Sequence, residues 1–151
     1  MSPGLVAAIQ AAGYKAEVKP NKRGKSFIAS ATNGSDYSID LYNCDDNDKS
    51  VGCKTLMFSS WWKAQPWLTT ELANAYNAKY TFGRAYVDKE GDLNLELAVT
   101  TAGGLTLENF KDVIDWWSTV DANMTRMVDN AEAAAEAKKK PAKPAKPDVK
   151  V

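Results

Sequence analysis

The chain contains no histidine. That removes the commonest general base and the commonest metal ligand at once. It has only two cysteines, Cys44 and Cys53. A structural zinc site needs about four Cys or His ligands, and a thioredoxin-type pair needs a Cys-x-x-Cys spacing, so neither chemistry is expected. Also missing are a Gly-x-Ser-x-Gly elbow and a glycine loop that would cradle phosphate. The expectation is a protein that is not an enzyme, with no catalytic residues, no metal and no cofactor. No run of about 18 apolar residues is present, which excludes a membrane-spanning helix. A signal-peptide pattern is also missing: Met1-Ser2-Pro3-Gly4 leads directly into an amphipathic segment. Two readings of that start stand, a cytoplasmic protein or one whose leader has been replaced.

Net charge is absent overall but unevenly so. Residues 131–151 hold six lysines against Glu132, Glu136 and Asp148, leaving the tail basic and the body mildly acidic. A body without a clustered basic face is not expected to bind nucleic acid. The tail, which carries Lys-Pro-Ala repeats, could touch anionic surfaces by charge alone.

What is present describes one domain of ordinary composition, 151 residues with 44% hydrophobic and 25% charged. Leu5 to Ala12 reads as a helix begun by Ser2 and Pro3 and ended by Gly13. Weak alternation over Tyr14–Lys19 predicts a first strand and Phe27–Ala31 a second. Asn33-Gly34 is a hairpin signal, because both residues tolerate positive φ. Tyr37, Ile39 and Leu41 share one face of a third strand. Lys54–Trp61 predicts a fourth, and Thr69 or Thr70 caps a helix over Glu71–Lys79. Phe82–Asp88 and Leu93–Val99 predict the last two strands, joined at Lys89-Glu90-Gly91-Asp92. Thr106 caps a final helix over Leu107–Lys138. Its apolar residues keep a seven-residue repeat: Phe110, Trp117, Met124 and Ala131 at one position, Val113, Val120, Met127 and Ala134 at the other. The stripe thins towards its end. We therefore expect the domain over residues 1–123, a helix extension over 124–138 and a disordered Lys/Pro/Ala tail over 139–151. Met124 and Met127 then become candidate partner contacts.

The two cysteines bracket a polar turn and permit two readings, free thiols or a bridge across a hairpin. Asp46, Asp48 and Ser50 in that turn offer oxygen ligands at alternate places. The glycine and closing glutamate of a calcium loop are missing, so a solvated turn is the better reading. Trp61, Trp62 and Trp67 form an aromatic cluster that either packs or anchors a partner. Trp116 and Trp117 are assigned to the core. Arg84 shares a strand face with Phe82 and Tyr86, either as a stacked structural arginine or as part of a partner groove.

The run Asn77-Ala78-Lys79-Tyr80-Thr81-Phe82-Gly83-Arg84-Ala85-Tyr86-Val87-Asp88-Lys89-Glu90-Gly91-Asp92-Leu93-Asn94-Leu95-Glu96 closely resembles the signature of the YbjN family of bacterial sensory transduction regulators. Ala11-Ala12-Gly13-Tyr14, Gly103-Gly104-Leu105-Thr106 and Val113-Ile114-Asp115-Trp116-Trp117 extend the resemblance over about residues 4–120. It implies an α+β fold similar to type III secretion chaperones: an antiparallel sheet of five or six strands with helices packed on it, in the order α-β-β-β-α-β-β-α. It also implies a regulatory or chaperone-like role, a protein partner and a homodimer. The cysteine hairpin looks like that of exported members, which implies a Cys44–Cys53 disulfide and a periplasmic location. The resemblance departs at Ala75-Tyr76-Asn77, where the family commonly has Trp beside the Asn, and in the length of the last helix. An accessory subunit of a larger bacterial assembly, attached through that helix and the tail, is the alternative.

Overall fold

The computed structural model describes residues 3–23, 25–45 and 52–140. Helix α1 (Pro3–Ala11) precedes four strands, β1 (Glu17–Pro20), β2 (Ser26–Thr32), β3 (Ser35–Tyr42) and β4 (Thr55–Trp62). Helix α2 (Thr70–Lys79), strands β5 (Arg84–Val87) and β6 (Leu93–Thr100) and helix α3 (Leu107–Lys139) follow. The strands form one antiparallel sheet in the order β1-β2-β3-β4-β6-β5. The weakly patterned first segment is thus a full strand. It is shorter than the alternation predicted and lies at an edge, where Pro20 removes no ladder bond.

Local chemistry accounts for the element boundaries. Gly13 at φ +90° ends α1. Asn33 and Gly34, at φ 51° and 77°, make the two-residue turn between β2 and β3. The Asn33 side-chain amide donates to the Ser118 carbonyl at 2.9 Å, so this turn is also tied to α3. Thr69 and Thr106 accept from the backbone N–H of Leu72 and Asn109 and cap α2 and α3. The expected N-cap Ser2 lies outside the described residues.

Alternation divides the sheet into two unlike faces. Ile28, Ile39, Phe58, Leu93 and Leu95 point to one face, where Ile9 of α1 and the buried stripe of α3 cover them. Trp117 is fully buried there, with its ring 5.6 Å from those of Tyr37 and Phe58. Among the described residues the other face carries no helix. One-sided covering of an antiparallel sheet is common, but the uncovered side is normally polar, and here it bears aromatics.

Three expectations about α3 are corrected. The buried packing of α3 continues past 123: Met124 is fully buried and Val128 nearly so. Met124 is therefore a core residue and is unavailable to a partner. The heptad assignment holds through Met124 and fails at Met127, where Val128 takes the buried position instead. A straight helix at 3.6 residues per turn drifts from a seven-residue repeat, and over this length the drift moves the stripe by one residue. Trp116 is not in the core either. It is 43% exposed and stacks on Phe82 at 4.4 Å between ring centroids.

Candidate functional site

The helix-free face is best read by following one row across all six strands. Glu17, Ala29, Ser38, Ser59, Glu96 and Arg84 are successive register partners from edge to edge. The small side chains of Ala29, Ser38 and Ser59, with Glu17 beside them, line a groove of about 480 Å³ over the β1–β4 part of this row. Phe27 lines one part of it and Trp61 another. Trp61 is 62% exposed, the most open of the large hydrophobic residues described. Its register partners are Asn94 and, one strand on, Tyr86.

Arg84 is exposed at the far end of the row and is held there from two sides. Its guanidinium pairs with the Glu96 carboxylate and lies 5.2 Å from the centre of the Tyr86 ring. The Tyr86 hydroxyl donates to the other Glu96 oxygen at 2.7 Å. The hydrogen bond to Glu96, reinforced by its charge, raises the affinity of Arg84 for its proton. The phenol's own hydrogen bond to Glu96, with burial, pushes Tyr86 above its usual value. Arg84 is both stacked and available, so the two sequence readings of it are compatible. Near the middle of the face, burial holds the Asp40 carboxyl above the ordinary carboxylate range.

The remaining sequence-predicted residues do not join Trp61 and Arg84. Trp62 points to the helix-covered side and packs against the core. Trp67 also packs there, with the Lys139 ammonium 5.8 Å from its ring centre. Met127 is half-buried against the core on α3. Cys44 and Cys53 form a disulfide. The acidic turn residues Asp46, Asp48 and Ser50, and the tail from Pro141, lie outside the described residues.

The motif from Asn77 to Glu96 proves to be architectural. Asn77 of α2 both donates to the Ala85 carbonyl and accepts from the Ala85 N–H, each at 2.9 Å. A side-chain amide thus takes the place of a neighbouring strand on the outer edge of β5. Burial pushes the Tyr76 phenol up to about 12, and its hydroxyl donates to the Phe82 carbonyl at 2.8 Å. Gly83 sits at φ +83°, and a Cβ there would come within 2.9 Å of Val120 and 3.1 Å of the Tyr76 hydroxyl. Gly83→Ala should therefore lower stability by about 2–3 kcal/mol in a urea titration, with the midpoint moving and the slope unchanged. Asp88 accepts from the Glu90 and Asp92 N–H groups and from Asn94, and Asp92 accepts from the Ala64 N–H. The Asp88 and Asp92 carboxylates are thus engaged in holding the hairpin.

Two features escaped sequence reasoning. The exposed Phe82–Trp116 stack depends on α3 lying beside the α2–β5 connection, a long-range relation. Asp121, fully buried, had a signal: it stands four residues after Trp117, on the same helix face.

Comparison with known proteins agrees with this architecture. The YbjN family, described as "Putative bacterial sensory transduction regulator", matches residues 4–122. A solved structure, "Crystal structure of YbjN, a putative transcription regulator from E. coli", superposes with a TM-score of 0.61. It shares 16% identity, over 87% of this chain and 90% of that one, so it bears on the fold alone. No curated protein matches the sequence.

Proposed function

Because the chain belongs to the YbjN family, we propose that it is a non-catalytic regulatory domain that works by binding protein, and that its helix-free sheet face seats a second copy of itself. The observation carrying this is the register row with Glu17 at one end, exposed Arg84 with its neighbour Glu96 at the other, and the small Ala29, Ser38 and Ser59 between. A two-fold axis parallel to the strands, passing between Ser38 and Ser59, sets each Glu17 opposite the other copy's Arg84. Face-to-face packing of sheets is a standard arrangement at about 10 Å separation. Six strands about 4.8 Å apart and up to eight residues long present at most roughly 700 Å², close to what each partner contributes to a stable interface. Trp61 supplies the kind of anchor that such interfaces use.

Sedimentation equilibrium tests it. Glu17→Arg and Arg84→Glu should each weaken self-association roughly tenfold or more, since each juxtaposes like charges twice per dimer. The chain carrying both changes should regain most of it. A wild-type protein that stays monomeric to about 100 µM, or a double variant no better than the singles, would sink the reading.

The Cys44–Cys53 bridge supports an oxidising compartment such as the periplasm. A second reading, an accessory subunit attached through α3 and the tail, is favoured by one observation. Helix α3 continues from Val128 to Lys139 without another fully buried residue. Deleting residues 129–151 should then leave the melting temperature nearly unchanged while abolishing incorporation into an assembly; incorporation that survives the deletion removes this reading.

A further inference from the structure

Asp121 is the one fully buried acidic side chain among the described residues, and it lies midway along α3. The Ser60 hydroxyl of β4 donates to its Oδ1 at 2.9 Å, while its Oδ2 has no hydrogen-bond partner within the protein. Around it the sheet turns polar in an otherwise apolar layer. Ser30 and Tyr37 are register partners, both are buried, and neither hydroxyl oxygen has a protein partner. Thr32, on the same strand face as Ser30, shares a hydrogen bond with Ser118 of α3.

Neutral groups from four parts of the fold face the carboxyl. Ser60 comes from β4, Asn33 from the β2–β3 turn, Tyr37 from β3 and Tyr76 from α2. None of these carries positive charge. On α3 itself the nearest cation in sequence, Arg126, is exposed and donates to Asn123 and towards the Tyr80 hydroxyl. Asp115, a turn and a half earlier, accepts from Tyr14 at the surface. A carboxylate at position 121 therefore has the Ser60 hydroxyl and the neighbouring Asn33 amide to favour it, both neutral, and no counter-charge against the loss of water.

We propose that Asp121 makes the seating of α3 on the sheet proton-dependent, tight when its carboxyl is neutral and looser when it ionises. Burial raises its affinity for the proton, as expected for such a site. The sign follows from linkage. The folded state holds this proton to higher pH than the unfolded chain does. The stabilising contribution is complete below the ordinary aspartate range near 3.9 and is lost as pH rises through the raised folded value. Loosening would begin at the middle of α3, where Trp117, Met124 and Val128 hold it to the sheet. Ser60 joins this event to β4, whose next residue, Trp61, stands on the opposite face.

The test compares unfolding of the wild type and Asp121→Asn by urea between pH 4 and pH 8. The amide keeps the size and can still accept from Ser60. The ratio of wild-type to variant unfolding constants should rise several-fold across that range, because only the wild type carries the ionisation. Amide hydrogen exchange over residues 117–128 should accelerate with pH beyond the intrinsic chemical rate in the wild type alone. If Asp121→Asn fails to fold, the Asp121 carboxyl signal followed by NMR in the wild-type protein decides the matter. Titration well above the ordinary aspartate range sustains the proposal, and Ser60→Ala should move it higher still. Parallel stability profiles, or a carboxyl that titrates near or below 4, overturn it.

Discussion

Trp117→Ala should lower folding stability by about 3–5 kcal/mol, the range for truncating a large buried aromatic. The indole is fully buried and touches Tyr37 of β3 and Phe58 of β4, so one side chain joins α3 to two central strands. Its loss removes transfer free energy and leaves a cavity between a helix and a sheet, neither of which can move alone. Stabilities of domains this size are typically about 5–15 kcal/mol, so the variant should be marginal at 37 °C. A urea titration reads the effect as a lowered midpoint with an unchanged slope. A loss below about 1 kcal/mol would mean that α3 is not held through this contact. Trp116→Ala serves as the internal contrast: exposed and stacked only on Phe82, it should lower stability by about 1 kcal/mol or less.

The second large effect is expected at Asn77. Its amide satisfies both backbone groups of Ala85, a residue with little exposure at the sheet edge. Asn77→Ala leaves a backbone donor and a backbone acceptor unmatched, a loss of roughly 2–4 kcal/mol at about 1–2 for each group. It also uncovers the outer edge of β5, a ready template for pairing with another chain. The variant should melt lower and scatter more light as concentration rises. Asn77→Asp separates the two roles, because a carboxylate still accepts from the Ala85 N–H but cannot donate to its carbonyl. It should fall between wild type and alanine. Equal stability of all three proteins would show that the clamp contributes nothing.

These two residues also show what the sequence made legible. Trp117 announced itself through a periodic apolar stripe, since helix burial depends on spacing that any single element displays. The strands were legible for the same reason, and the turns because Asn33-Gly34 and Gly13 need positive φ. The YbjN resemblance located the Asn77–Glu96 motif, but the role of Asn77 needed three dimensions, because α2 reaches a strand that follows it. The error over Met124 came from taking the thinning of the stripe, from Trp and Phe to Met and then Ala, as the point where the helix leaves the core. The error over Trp116 came from widening a stripe to take in a flanking residue. At the candidate site, Trp61 and Arg84 were named in advance. Their shared face could not be seen before the register placed β6 between β4 and β5. Glu17, at the far end of the same row, gave no sign in the sequence at all.

The proposed working surface is the helix-free sheet face. Backbone amide NMR shifts recorded from about 10 µM to 1 mM test it most directly. Concentration-dependent shifts are expected over 36–40, 57–61, 84–86 and 94–98, with the α3 amides near Trp116 unchanged. Spectra that do not change with concentration, or changes confined to Phe82, Trp116 and the rest of the helix-covered side, would contradict it.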